Sequence, residues 1–476
     1  MDESRKATLT RTAGEAAAED AYDKATAEVA SLGARLQELL ALKHRLKSQD
    51  AEVLQLTSKL EAAEAEFNKR FDSIVNSARS QGAALGRATD LDKSKDGIAS
   101  ALASLPPRSA AVYLLCTPDA VQFIVITPSV KLVRSRRIAS SELASRIMAF
   151  RSVLDNPAKD AVPAARALYD VLWKPIAADI ARLGAVNVML SLDGPVRYIP
   201  MGALHDGKDW LASRYNLSLF MPAALGKIAQ KPSPVWNVFT AGVSKSRSVD
   251  DGFGTQVDFS PLPGVSREVS RIGSVMRSGG APCLDDSFTL DAFKLGLLSQ
   301  PRVVHLASHF QFNPGSESKS FLLTGKGDVL RVSDTRVLTP VAFRSVELLT
   351  LSACQTGMST EKADGSEVEG ISGILQRKGA AAVLSTLWPV ADESTEAFMS
   401  SFYALRSKSL GVTKVQCLRQ IQVAMIQGQL APGTGNKAAS RAGATRSTAK
   451  VATQSKQRTW SHPYYWAPFI LQGNWM

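Results

Sequence analysis

From Pro234 onward the chain repeats one unit, a short apolar run followed by a stretch with helical spacing. The runs are 236–242, 302–307, 348–352 and 381–385, and the helical patterns between them start near Gly264, Leu290 and Val368. Runs this short and this apolar are strands buried on both faces. Their alternation with helices predicts an α/β fold with a mostly parallel sheet joined by right-handed crossovers. In open α/β sheets the reactive groups gather at the carboxyl ends of the strands. Two of these runs end in such groups. Val303-Val304-His305-Leu306-Ala307-Ser308-His309 carries a histidine past its expected end, and Leu348-Leu349-Thr350-Leu351-Ser352-Ala353-Cys354-Gln355-Thr356-Gly357 carries a cysteine. If the two strands are neighbours, an imidazole and a thiol meet at one sheet edge, the layout of a cysteine-nucleophile hydrolase.

The other histidines and cysteines offer weaker chemistry. His305 and His309 are four apart like a helical zinc pair, but Leu306 stands where the pair needs a Glu and the segment reads as strand, so no metal is expected. His305, embedded among Val303, Val304 and Leu306, is expected in the core, whereas His309 is expected to be exposed. His44 and His205 are expected at the surface. Cys116, Cys283 and Cys417 have no comparable context and no CxxC spacing, so neither a zinc site nor a disulfide framework is expected, and a reducing, cytoplasmic setting fits best. Cys354, by contrast, precedes a polar turn with a glycine, and its own backbone N–H can serve an oxyanion.

Length and composition bound the rest. A chain of 476 residues, 45% apolar and 21% charged, folds into two or three globular units. It has no run of 18 apolar residues and no apolar core behind Met1-Asp2-Glu3-Ser4-Arg5-Lys6, so neither a membrane span nor a signal segment is expected. The net charge of +12 suggests nucleic acid until it is located. Lys437, Arg441, Arg446, Lys450, Lys456 and Arg458 supply half of it, in a stretch with no acid. No recognition motif accompanies them, so nucleic acid is not the expected partner.

Three segments follow. Residues 1–96 form a helical extension in which Leu32, Leu39, Leu46, Val53, Leu60, Phe67 and Ile74 recur every seven residues, without Pro or Gly from Ala34 to Ser80. The companion seam is patchy (Leu36, then Lys43, Asp50, Thr57 and Glu64), which fits a long helix or helical hairpin packed on something larger, or an oligomerisation element. Residues 97–231 form a smaller α+β half. Its expected hairpins are 111–116 with 121–127 and 186–192 with 196–199, the second about Asp193-Gly194, and its helices are 141–154 and 165–183. Residues 232–476 form the catalytic half, with further helices at 395–406 and 414–427. Within it 431–458 reads as a flexible basic insertion and 464–471 as a returning packing element.

At these residues the sequence resembles the CHAT family, caspase-like cysteine peptidases related to caspases, separase, gingipains and legumain. The likeness runs through His-Leu-Ala-Ser-His at 305–309, Leu-Ser-Ala-Cys-Gln-Thr-Gly at 351–357 and Asp364-Gly365-Ser366-Glu367-Val368-Glu369-Gly370. It continues through Leu387-Trp388-Pro389-Val390-Ala391-Asp392 to His462-Pro463-Tyr464-Tyr465-Trp466-Ala467-Pro468-Phe469. The resemblance implies a caspase-like α/β fold and peptide-bond hydrolysis without a cofactor. Cys354 would be the nucleophile, His309 the acid–base group, and the N–H groups of Cys354 and Phe310 the oxyanion donors. Phe310 stands where caspase-type enzymes usually have Gly. Separase-like relatives read a basic P1 residue with an acid in the loop that here holds Asp392, 38 residues beyond Cys354. Asp392, Trp388, Asp364 and Glu367 are therefore the expected substrate-binding residues, with the alternative that Asp392 caps the helix 395–406. The resemblance also implies a dedicated protein substrate such as a pore-former, activation by a partner or by assembly through the amino-terminal helices, and a role in prokaryotic defence or regulated cell death. The rival reading is a catalytically silent interaction scaffold on the same fold.

Overall fold

A computed structural model of the chain describes residues 98–476 apart from 222–224, 251–255, 277–280, 312–319, 335–337, 339–341, 356–365, 410 and 433–459. It also describes 46–56 and scattered positions from 28 to 66; for 353–355 and 366–371 the backbone path alone is described. Two compact units emerge, one of residues 1–94 with 334–342 and one of residues 95–333 with 343–476.

In the first unit 47–56 is helical and Leu46 lies just outside that helix, its N–H donating to Gln49 Oε1 at 2.9 Å. Arg35 pairs with Glu52 at 3.0 Å, seventeen positions away.

The second unit is built on one sheet. Its strands are β1 (Ser109–Cys116), β2 (Ala120–Ile126), β3 (Lys131–Arg137), β4 (Asn187–Ser191), β5 (Asn216–Leu219), β6 (Val238–Gly242), β9 (Cys283–Leu284), β10 (Val303–Gln311), β11 (Phe321–Leu323), β12 (Val329–Arg331), β13 (Leu348–Gln355), β14 (Ala382–Thr386) and β15 (Phe469–Gly473). A separate antiparallel pair is β7 (Arg247–Asp250) with β8 (Gln256–Phe259). The order is β12-β11-β10-β13-β14-β15-β5-β4-β1-β2-β3, with β6 beside β10 and β9 beside β6. The central pairings β6–β10, β10–β13 and β13–β14 are parallel, as the strand–helix alternation predicts. The helices are α1 (Ser140–Leu154), α2 (Val162–Leu172), α3 (Lys174–Arg182), α4 (Pro263–Val275), α5 (Leu290–Leu298), α6 (Ser366–Arg377), α7 (Asp392–Lys408) and α8 (Lys414–Ile426).

The sheet runs without a break through both halves of the sequence reading. β15, the returning carboxyl-terminal segment, pairs antiparallel with β14 and parallel with β5, so it joins the strands of 97–231 to those of 232–476. Its last residue, Gly473, has φ +95 and an added Cβ would come within 2.5 Å of the Ala381 carbonyl oxygen. Only glycine takes that backbone without strain. Gly473→Ala is expected to destabilise this unit by about 1–3 kcal/mol, read as a lowered denaturant midpoint, and an unchanged midpoint would show that the junction yields.

Two expected elements differ. Asp193-Gly194 does not turn a hairpin: β4 pairs parallel with β1 and β5, and Gly194–Tyr198 is a 3₁₀ turn with Pro195 in its first turn. The helix 165–183 is two helices broken at Trp173, because Pro175 sits at the start of α3 and cannot donate to the preceding turn.

Candidate functional site

β10 and β13 are adjacent and parallel, which brings the histidine and cysteine strands together. Both are longer than their apolar runs, so His309 and Cys354 lie inside strands rather than past them. The register pairs Ala307 with Ser352 and then Phe310 with Cys354, so β10 carries one extra residue at Ser308-His309. Such bulges re-aim a side chain and mark the neighbourhood of active sites. Beyond Ala307, β10 leaves β6 and pairs with β11 instead, and Ser308 Oγ donates to the Leu323 carbonyl at 2.8 Å. The backbone of Cys354 thus stands directly across from the residue that follows His309.

His309 is buried, at 6% exposure, which corrects the expectation of an exposed ring. Phe259, at the end of β8, packs on the imidazole at 5.0 Å between centroids, a cover that no local pattern announces. Nε2–H donates to the Ser260 carbonyl at 2.8 Å, which fixes the tautomer and leaves Nδ1 as the ring's proton-accepting nitrogen. Burial pushes the imidazole below its ordinary value, opposed by the Ser260 carbonyl and by the nearby Asp392 carboxylate. A neutral imidazole at neutral pH is a competent base.

His305, behind it on β10, is fully buried, as expected. Its Nε2 lies 2.7 Å from Glu268 Oε1 on α4, its Nδ1 lies 3.3 Å from the Tyr403 hydroxyl on α7, and that hydroxyl lies 2.7 Å from Thr350 Oγ1 on β13. These contacts form one buried polar row that ties β10 to α4, α7 and β13. The sequence reading did not find Glu268 or Tyr403; they lie 37 and 98 positions from His305.

Asp392 is the first residue of α7, whose N-cap is Ala391 with no side-chain cap bond. Its half-buried carboxylate instead accepts the N–H of Gly264, the second residue of α4. The capping alternative is therefore corrected, since Asp392 caps the neighbouring helix and not its own. Burial raises its pKa. Trp388 is 4% exposed, its Nε1–H donates to the Tyr464 carbonyl at 3.1 Å, and the Arg151 guanidinium lies 4.5 Å from its ring centre. These contacts give it a packing position rather than an open wall. Phe310 is buried and bridged to Leu322 on one side and Cys354 on the other. Asp364 and the 433–459 stretch lie outside the described residues, as do the side chains of Cys354 and Glu367.

The remaining cysteines are poor nucleophiles. Burial pushes Cys116 and Cys417 up to about 12 and raises Cys283 as well. Among the described residues no group of His, Cys, Asp and Glu is placed to hold a metal ion, and no helix is long and apolar enough to cross a membrane.

Residues 162–474 match the CHAT domain family. The chain belongs to that family. This CHAT domain is also similar to mouse tetratricopeptide repeat protein 28, 23% identical over 362 residues that cover 66% of the chain but 13% of that protein. Among solved structures it is similar to the Arg-specific cysteine proteinase gingipain R (9% identity, TM-score 0.35, 71% of this chain and 68% of that one). It is similar as well to the Saccharomyces cerevisiae separase–securin complex (10% identity, TM-score 0.35, 94% of this chain and 27% of that one).

Three histidines couple this CHAT domain to pH. His205, His309 and His462 are all held below the ordinary histidine value, chiefly by burial; His205 is buried against Trp210 rather than exposed, which corrects the surface expectation. The unfolded chain takes up protons near pH 6.5, where the folded chain still refuses them. The stability that these three histidines contribute is therefore complete above the unfolded value and is lost as pH drops towards the folded values. Urea midpoints should decline as pH falls below about 6.5, less steeply in a His205→Asn/His462→Asn variant. An equal decline in both would contradict the assignment.

Proposed function

We propose that this chain is a cysteine endopeptidase in which Cys354 is the nucleophile and His309 the acid–base group. The observation that carries the reading is the bulged β10–β13 register, which sets the Cys354 backbone against the residue following a buried, tautomer-fixed His309. With Nε2–H tied to Ser260, Nδ1 is the nitrogen that takes the thiol proton. The thiolate then attacks the scissile carbonyl carbon, the C–N bond breaks, and the imidazolium protonates the departing amine. Water, deprotonated by the same nitrogen, hydrolyses the thioester and returns the thiol. The Cys354 N–H is the proposed oxyanion donor.

The substrate is proposed to be a protein, engaged after a partner or self-assembly acts on the amino-terminal helices. The alternative of a silent scaffold is disfavoured because a scaffold needs neither an oriented imidazole nor a cysteine on the neighbouring strand. The reading is tested by incubating the purified chain and its Cys354→Ala variant with a cell extract and sequencing new amino termini. New termini formed by the native chain alone are expected. Identical termini in both would refute the peptidase.

A further inference from the structure

The segment that holds His309 runs straight into the helix that Asp392 caps. Ser260, whose carbonyl accepts Nε2–H of His309, is followed by Pro261-Leu262-Pro263, and α4 begins at Pro263. Two prolines in three residues fix their own φ angles and restrict the residues before them, so this strap transmits displacement rather than absorbing it. It is pinned once along its length, where the Leu262 N–H donates to the Ser244 carbonyl at 2.9 Å.

The start of α4 has little freedom either. The Asp392 carboxylate accepts the Gly264 N–H, and a Cβ built on Gly264 would stand 2.7 Å from the carboxylate carbon and both its oxygens. A glycine is therefore required for this approach. One turn on, Glu268 is bound to His305, and beside it Arg267 pairs with Glu396 at 2.8 Å. Helix α4 is thus attached to α7 at Asp392 and Glu396, and to β10 at His305, with Tyr403 and Thr350 extending the last attachment to the cysteine strand.

We propose that Asp392 is a positioning residue: through Gly264 and the Ser260–Pro263 strap it sets the carbonyl that orients His309. This deepens the peptidase reading and rests on it. It assigns the carboxylate to the histidine rather than to the P1 side chain. The Asp392 charge also favours the protonated form of His309.

The test uses the full chain with ¹⁵N-labelled histidine, the His309 resonances being identified by their loss in His309→Gln. In the native chain above the histidine titration, His309 is expected to show the Nε2–H tautomer. Asp392→Ala and Gly264→Ala should each shift it towards a tautomer mixture, whereas Asp392→Asn, which keeps an acceptor for Gly264, should retain the native signature. With peptide substrate, Asp392→Ala should lower kcat by about a hundredfold, the usual cost of a misplaced catalytic group, with KM little changed. An unchanged His309 signature in a folded Asp392→Ala chain would overturn the proposal, as would a kcat retained while basic P1 selectivity is lost. If Gly264→Ala does not fold, the Asp392 pair alone decides. A shifted signature in a chain whose native form cleaves nothing would uphold the positioning role and count against the peptidase reading alone.

Discussion

Cys354→Ala should abolish peptide-bond cleavage, with a fall in kcat of at least about a thousandfold, and leave the denaturant midpoint nearly unchanged. The size of the effect follows from the division of labour between the two strands. In the proposed mechanism the Cys354 thiolate forms the covalent bond, whereas burial raises the pKa of Cys116, Cys283 and Cys417. His309→Ala should lose a comparable factor, since residues that act as a unit are not additive. It differs in one respect. His309 is buried, stacked on Phe259 and bonded to Ser260, so its removal strands a carbonyl and should also cost about 1 kcal/mol of stability. The Cys354→Ala/His309→Ala pair should be no slower than either single variant. A double variant slower by the product of the two factors would mean that the groups act independently.

A large stability loss is expected at Glu268→Ala, about 1–3 kcal/mol, because it leaves the buried Nε2 of His305 without its partner. Glu268 is 1% exposed and His305 0%, so water cannot reach the orphaned ring from outside. Glu268→Gln keeps an acceptor and should lose less than half as much. Arg267→Ala is the control from the same helix. Its pair with Glu396 is at the surface on the arginine side, and such pairs contribute about 0–1 kcal/mol. Denaturant midpoints in that order test the account; Glu268→Ala and Arg267→Ala of equal cost would refute it.

The sequence made the sheet legible because its central strands are apolar on both faces. The runs at 302–307 and 348–352 stand out against any helical period, and their ends mark His309 and Cys354. What lay beyond the apolar runs was not legible. Ser308-His309-Phe310-Gln311 lies past the apolar run, yet it remains strand because β11 pairs with it at a point where β6 has ended. The burial of His309 depends on Phe259, which belongs to a separate hairpin. Asp392 allows two readings from sequence, a P1 carboxylate or the cap of its own helix, since Asp favours that position. Its real partner, Gly264, is 128 positions away, and no local pattern reports a contact of that span. The break of 165–183 is different in kind, because Pro175 announces it. The Asp193-Gly194 pair signals a tight turn but not its type, and the following Pro195 carried the chain into a 3₁₀ turn instead of a hairpin.

The central claim is that β10 and β13 bring a reactive thiol and a base together, and labelling tests it most directly. The native chain and His309→Ala are exposed briefly to a low concentration of a peptidyl acyloxymethyl ketone, and the adducts are mapped by mass spectrometry. A single adduct on Cys354 in the native chain, none on Cys116, Cys283 or Cys417, and its loss in His309→Ala is the predicted result. Adducts spread over several cysteines, or a Cys354 adduct that forms equally fast without His309, would contradict it.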